Sequence, residues 1–218
     1  MKKVACVFLF MSIFVFTASA QLSYSRTHKL KTPGISKDTL YKRVKYDLDF
    51  IKPAKGDTIA DLGTYDGLYP AMYSVFSDSV TFYLEDVNTR PLFFLDSLKM
   101  LCASISNKQI TNTFLMFEGT QTYTNLPAQK FDKVILRDVV HHCQSSADIL
   151  AEACRILAPG GKLILFEPVV PAKGKNEKLC VGAFTMKQLM ALTKEQDLKL
   201  VRKKQSQKDH YWFEFVKK

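Results

Sequence analysis

The sequence lacks the residue spacings on which several common functions depend. None of its five cysteines forms a Cys-x-x-Cys pair. The adjacent His141 and His142 cannot place both rings on one helix face, and no third ligand stands at a zinc-like distance, so no metal site is expected. A dinucleotide fingerprint Gly-x-Gly-x-x-Gly starting at Gly63 would need glycines where Tyr65 and Leu68 stand, which argues against a nicotinamide cofactor. Acidic residues are the minority: 31 Lys and Arg against 21 Asp and Glu give a formal net charge of +10. The basic residues, among them Lys42, Arg43, Lys45 and the group Lys199, Arg202, Lys203, Lys204 and Lys208, are not interleaved with aromatic ones as single-strand nucleic-acid binders require. A solvated basic face is the expectation, with no nucleic-acid partner indicated. The chain has no internal repeat and no low-complexity tract. Beyond residue 20 it has no apolar run long enough to span a membrane.

The one long apolar run is the N-terminus, MKKVACVFLFMSIFVFTASA. Two lysines precede it and the small-residue pattern Ala18-Ser19-Ala20 closes it, as in a secretory signal. Cleavage after Ala20 would make the protein periplasmic or secreted, and an uncleaved segment would anchor it to a membrane. What remains is about 200 residues, the length of one domain with a sizeable core. Residues 21–38, with a Pro33-Gly34 turn, suit a flexible leader, and residues 39–218 make the domain. Cys102, Cys143, Cys154 and Cys180 remain after processing. An oxidising compartment would permit up to two disulfides among them, although buried small hydrophobes are the default expectation.

Leu40, Val44, Leu48 and Ile51 form one apolar stripe, predicting a helix capped by Ser36 or Asp38 and stopped before Pro53. Short apolar runs then alternate with helical patterns. Strands are expected at Thr58–Leu62, Val80–Leu84, Thr113–Phe117, Lys133–Arg137 and Lys162–Phe166, and helices at 67–77, around 91–101, at 147–157 and at 185–195. Pro159-Gly160-Gly161 reads as a turn and 168–183 as an irregular surface loop. Two last strands, Leu198–Lys204 and Tyr211–Val216, are joined by QSQKD, too short for a crossover helix, so they should be antiparallel. This order predicts a three-layer α/β domain whose mostly parallel sheet is covered by helices on both faces and ends in an antiparallel pair.

The stretches IADLGTYDG at 59–67, FYLEDVN at 82–88 and FDKVILRDVVHHCQSSADILAEACRILAPGGKLILFEP at 131–168 resemble, in order and spacing, the class I S-adenosylmethionine-dependent methyltransferases, especially their small-molecule branch. The resemblance covers roughly 39–216 and implies a Rossmann-like, seven-stranded sheet with S-adenosyl-L-methionine as cofactor. It places Asp61, Gly63, Thr64, Tyr65 and Gly67 in the cofactor loop, Glu85 or Asp86 at the ribose, Gly119 and Thr120 at the adenine, and Arg137 near the methionine moiety. Side-chain alternation lets only one of Glu85 and Asp86 face the cleft, and Asp86-Val87-Asn88 fits the family pattern better. Two positions depart from the family: Tyr65 stands where glycine is usual, and Thr120 offers a hydroxyl in place of an acid. His141 and His142, past the end of strand four, are candidate bases for a protonated acceptor, with a structural role as the alternative. Asp138 is a candidate to orient a histidine or to neutralise Arg137. The resemblance implies methyl transfer to a small molecule or an exposed protein side chain. The other reading is an exported, non-catalytic methyltransferase-like domain that binds another ligand or an envelope partner.

Overall fold

A computed structural model describes residues 35–171, 182–207 and 209–218 of the chain. The signal-like segment, the leader as far as residue 34, and Cys180 lie outside the described residues. Helix α1 spans Lys37–Ile51. The Ser36 hydroxyl accepts from the Thr39 amide at its start, and Lys52, at φ 45°, closes it by donating its N–H to the Leu48 carbonyl. Leu40, Val44, Phe50 and Ile51 are buried along one side, and so is Asp47.

Strands β1 (Thr58–Leu62), β2 (Thr81–Asp86), β3 (Thr113–Glu118), β4 (Phe131–Arg137) and β5 (Leu157–Val170) run parallel, while β8 (His210–Lys217) lies antiparallel to β5 and to β7 (Leu198–Gln207). The sheet order is β3-β2-β1-β4-β5-β8-β7, and a short β6 (Phe184–Thr185) pairs with Val169 and Val170 off this path. Helices α1, α2 (Leu68–Tyr73) and α3 (Leu95–Ser106) pack on one face, against Ile59, Phe82, Ile135, Ile164 and Trp212. Helices α4 (Ser146–Ile156) and α5 (Met186–Glu195) cover the other, against Ala60, Val134, Leu163, Phe213 and Phe215. Strands buried on both faces explain their unbroken apolar character. No helix among the described residues is long and apolar enough to cross a membrane.

Three expectations are corrected. The helix after β1 is only Leu68–Tyr73, because the carbonyls of the residues that would continue it have distant partners in place of a further turn. Asn112 Nδ2 donates to Ser74 and Ser77, and Lys108 Nζ to Val75 and Ser77. Pro159-Gly160-Gly161 does not separate a helix from a strand. Leu157 already pairs with Phe131, and the register shifts before Lys162 pairs with Lys133, so the tripeptide is an irregularity inside β5. The start of the supposed loop at 168–183 continues β5 to Val170, and its far end is Gly182 leading into β6. Cys102, Cys143 and Cys154 are free thiols.

Candidate functional site

At the C-terminal edge of the sheet the chain turns sharply after β1. Gly63, Tyr65 and Gly67 all adopt positive φ, at 67°, 56° and 72°. A Cβ on Gly63 would lie 2.6 Å from Val139 Cγ2, so the close approach of this turn to the β4 loop requires glycine as much as the dihedral does. Tyr65 takes the backbone conformation that glycine would, at a cost of roughly 1–2 kcal/mol. Hydrogen bonds from the neighbouring strand hold it there. The Tyr65 amide donates to Asp86 Oδ2 at 2.8 Å, the Thr64 amide to the Glu85 carbonyl at 3.0 Å, and the Thr64 hydroxyl to Asp61 Oδ2 at 2.7 Å.

Two cavities of about 260 Å³ each adjoin along this turn, and both are lined by Gly63, Tyr65 and Asp138. The first extends past Glu85, Asp86 and Val87 to Thr120, with Val139 and His142 opposite. The second contains Asp61, Thr64, Tyr69 and Arg137. Glu85 and Asp86 therefore both line the first cavity, although alternation sends them to different sides of β2: the cavity wraps around the strand's end. Glu85 is buried, and an added Cβ on Gly119 would lie only 1.8 Å from its Oε1, so the glycine makes room for this carboxyl. Burial, reinforced by the Asp86 charge, pushes the Glu85 pKa up to about 8. Burial likewise pushes Asp61 up to about 7. The Asp86 oxygens each accept one backbone N–H, from Tyr65 and from Asn88. The Thr120 hydroxyl is used within its own turn, accepting from the Tyr123 amide at 3.0 Å and donating to the Tyr123 carbonyl at 3.2 Å.

The paired histidines part company. His141 turns inward, its Nδ1 2.5 Å from Glu167 Oε2, while Glu167 Oε1 accepts from the Val139 and Val140 amides at 3.0 and 2.8 Å. His142 stacks on His141 with ring centroids 3.9 Å apart and lines the first cavity. Asp138 holds neither ring in a hydrogen bond. It sits 3.5 Å from His210 Nε2, its pKa raised by burial. Nor does Asp138 form the ion pair of Arg137. That partner is Asp47, whose Oδ1 lies 2.5 Å from Arg137 Nη1. Burial pushes Asp47 up to about 6, against the lowering effect of Arg137. The Arg137 guanidinium also lies 3.9 Å from the ring centroid of Tyr69 and 4.2 Å from that of Phe166. Asp47 and Glu167 were not singled out in the sequence. The available signal for Asp47 was an acid inside a buried stripe, between Val44 and Phe50.

Residues 78–165 match the family described as "Methyltransferase domain". A comparison with curated protein sequences finds no match. Among solved structures, a SAM-dependent methyltransferase from Aquifex aeolicus shares 17% identity over 88% of this chain and 96% of its own, with a TM-score of 0.62. An arsenic(III) S-adenosylmethionine methyltransferase from Chlamydomonas reinhardtii shares 19% over 76% of this chain and 65% of its own, with a TM-score of 0.59. The [4+2]-cyclase SpnF shares 16% over 75% of this chain and 58% of its own, also at 0.59, so this fold hosts more than one reaction. Residues 78–165 thus match a methyltransferase domain, and the chain is similar in fold, from its strand order to the glycine turn facing an acid at the end of β2, to solved S-adenosyl-L-methionine-dependent methyltransferases.

Proposed function

We propose that this protein transfers a methyl group from S-adenosyl-L-methionine to a small molecule or an exposed protein side chain outside the cytoplasm. The observation that carries the reading is Asp86. Its carboxylate is fixed beside the turn shared by two adjoining cavities, and each oxygen, having accepted one backbone N–H, keeps a lone pair for a ribose hydroxyl. The residues present fit the cofactor. Gly63 allows close backbone approach, and Tyr65 preserves the left-handed backbone of the family's glycine. Thr120 is committed to its turn, so the acid expected near the adenine is supplied from β2 by Glu85, which reaches across to Gly119. Asp61 and Arg137 would hold the amine and carboxylate of the methionine portion, and the Asp47 pair keeps the guanidinium from standing uncompensated in the cleft. When bound, the cofactor supplies an electrophilic methyl on a sulfonium. The chain's own contribution is chiefly to position the reacting groups and exclude water. His142, facing the first cavity, is the histidine placed to touch a ligand, while His141 fixes the loop through Glu167.

Titration calorimetry of S-adenosyl-L-methionine and its demethylated product tests this reading. Both should bind the parent protein, and Asp86→Ala should weaken both by about tenfold or more, as charge-assisted ribose bonds disappear. Unchanged affinity in the variant would remove Asp86 from the site. Failure of the parent to bind either compound would favour the second reading, an exported non-catalytic domain that binds another ligand or an envelope partner. Two observations support that reading: the Tyr65 side chain stands where both cavities meet, and Thr120 is occupied within its turn. Tyr65→Gly would then be expected to create affinity.

Export rests on residues 1–20. Intact-mass measurement of the protein recovered from its native host should give a chain beginning at Gln21, and a mass that retains Met1–Ala20 would make the segment an anchor.

A further inference from the structure

A third cavity, of about 380 Å³, opens beside the methionine end of the cleft, and Tyr69 and Arg137 belong to the walls of both. A molecule in it would lie next to the transferable methyl, so any part it plays in the reaction rests on the methyltransferase reading. Its charges are unbalanced. Lys42, Arg43 and Arg137 line it against one acid, Asp47, and Asp47 is already paired with Arg137. Lys42 and Arg43 are exposed at its rim, and among the described residues neither forms an ion pair. Two more cations flank the same rim, since Lys45 Nζ and Lys204 Nζ each stand 4.8 Å from the ring centroid of Tyr46, another lining residue, although Lys204 also lies 3.9 Å from Asp49 Oδ2. Apart from Ser206, the interior is largely aromatic and apolar. The rings of Trp212 and Phe166 lie 4.7 Å apart, tilted by 39°, and Leu68 and Met72 come from α2.

We propose that this cavity is the acceptor pocket and that it selects a small planar acceptor carrying a carboxylate or phosphate. The anion would be held at the rim by Lys42 and Arg43, and the ring would lie against the Tyr69 and Trp212 side. An acidic rim would repel such a molecule, and a cationic acceptor would meet Lys42, Arg43 and Lys45 before reaching the Asp47 carboxylate, which Arg137 occupies. The aromatic walls supply apolar contact with a planar ring that a purely electrostatic patch would not.

Trp212 is the chain's single tryptophan and lines this cavity, so its emission reports on occupancy without a label. Benzoate, phenyl phosphate and neutral benzamide are titrated into the purified protein, with and without saturating S-adenosyl-L-homocysteine, whose own affinity is measured separately by calorimetry. At least one of the anions should change Trp212 emission saturably and bind about tenfold tighter than benzamide. Which anion binds tighter tells a carboxylate from a phosphate acceptor. The double variant Lys42→Ala/Arg43→Ala should weaken the anions about tenfold and leave benzamide and S-adenosyl-L-homocysteine within about twofold of the parent. Equal binding of benzamide and the anions, or no anion binding by a protein that binds S-adenosyl-L-homocysteine, overturns the anionic-acceptor inference. Anion binding by a protein that does not bind S-adenosyl-L-homocysteine supports the pocket and overturns the methyltransferase reading beneath it.

Discussion

Glu167→Ala is expected to lower the stability of the folded protein by about 3–5 kcal/mol, measured as a shift in the urea unfolding midpoint. Glu167 is fully buried at the end of β5 and serves three groups at once: the amides of Val139 and Val140 through one oxygen and the His141 ring through the other. Alanine would strand two backbone donors and an imidazole in a site closed to solvent, and would leave a cavity as well. Glu167→Gln keeps a carbonyl oxygen for the two amides and should lose less than half as much. Because Val139, His142 and Cys143 on this loop form a wall of the first cavity, the alanine variant should also bind cofactor more weakly. An unfolding midpoint unchanged in Glu167→Ala would show that the loop is held by its own packing and that the carboxylate is incidental.

That dependence explains why parts of the site could be read from the sequence and others could not. Features the backbone imposes were legible. A strand buried on both faces must be a continuous apolar run, which located β1, β2 and β4, and a turn that must approach its neighbour closely needs glycine, which located Gly63 and Gly67. Asp86 was legible because strand ends carry side chains into the cleft at a fixed remove from that turn. What sequence periodicity does not contain is the identity of distant partners. His141 and His142 are neighbours in one 3-10 turn, yet Glu167, arriving from another strand, decides which ring is buried. Arg137 stood ambiguously beside a predicted sulfonium until α1 supplied Asp47, ninety residues earlier in the chain. The short helix α2 was overextended for the same reason: Asn112 and Lys108, which follow α3, take the carbonyls of Ser74 and Val75 that a further turn would have used. Tyr65 is the opposite case. It stands where the resembled family usually has glycine, and two strand-end hydrogen bonds impose the left-handed conformation on it.

Glu85→Gln is expected to stabilise the protein, with a gain that grows as pH rises from about 5 to about 8. Burial lifts this carboxyl from an ordinary value of 4.5 to about 8 in the folded state. Between those values the folded chain retains a proton that the unfolded chain has lost, so stability is greatest below about 4.5 and falls as pH climbs toward 8. At pH 7 the loss amounts to about 3 kcal/mol for a free-state pKa two and a half units lower. Glutamine cannot ionise, so the variant should match the parent near pH 4.5 and exceed it by up to that amount at pH 7. Thermal unfolding of both proteins at pH 5 and pH 7.5 checks this, and a melting-temperature difference that is the same at both pH values would sink it. Asp61 and Asp47, raised to about 7 and about 6 by their own burial, give a slope of the same sign, so part of the pH dependence should survive in the variant. The cofactor reading adds a second expectation. A neutral carboxyl at this position both donates and accepts a hydrogen bond, as a glutamine amide does, so cofactor affinity should stay within about threefold of the parent in Glu85→Gln and drop in Glu85→Ala. An acid kept protonated by burial would then serve the adenine end of the cleft as a hydrogen-bonding group, which is how this chain can dispense with the charged residue that Thr120 replaces.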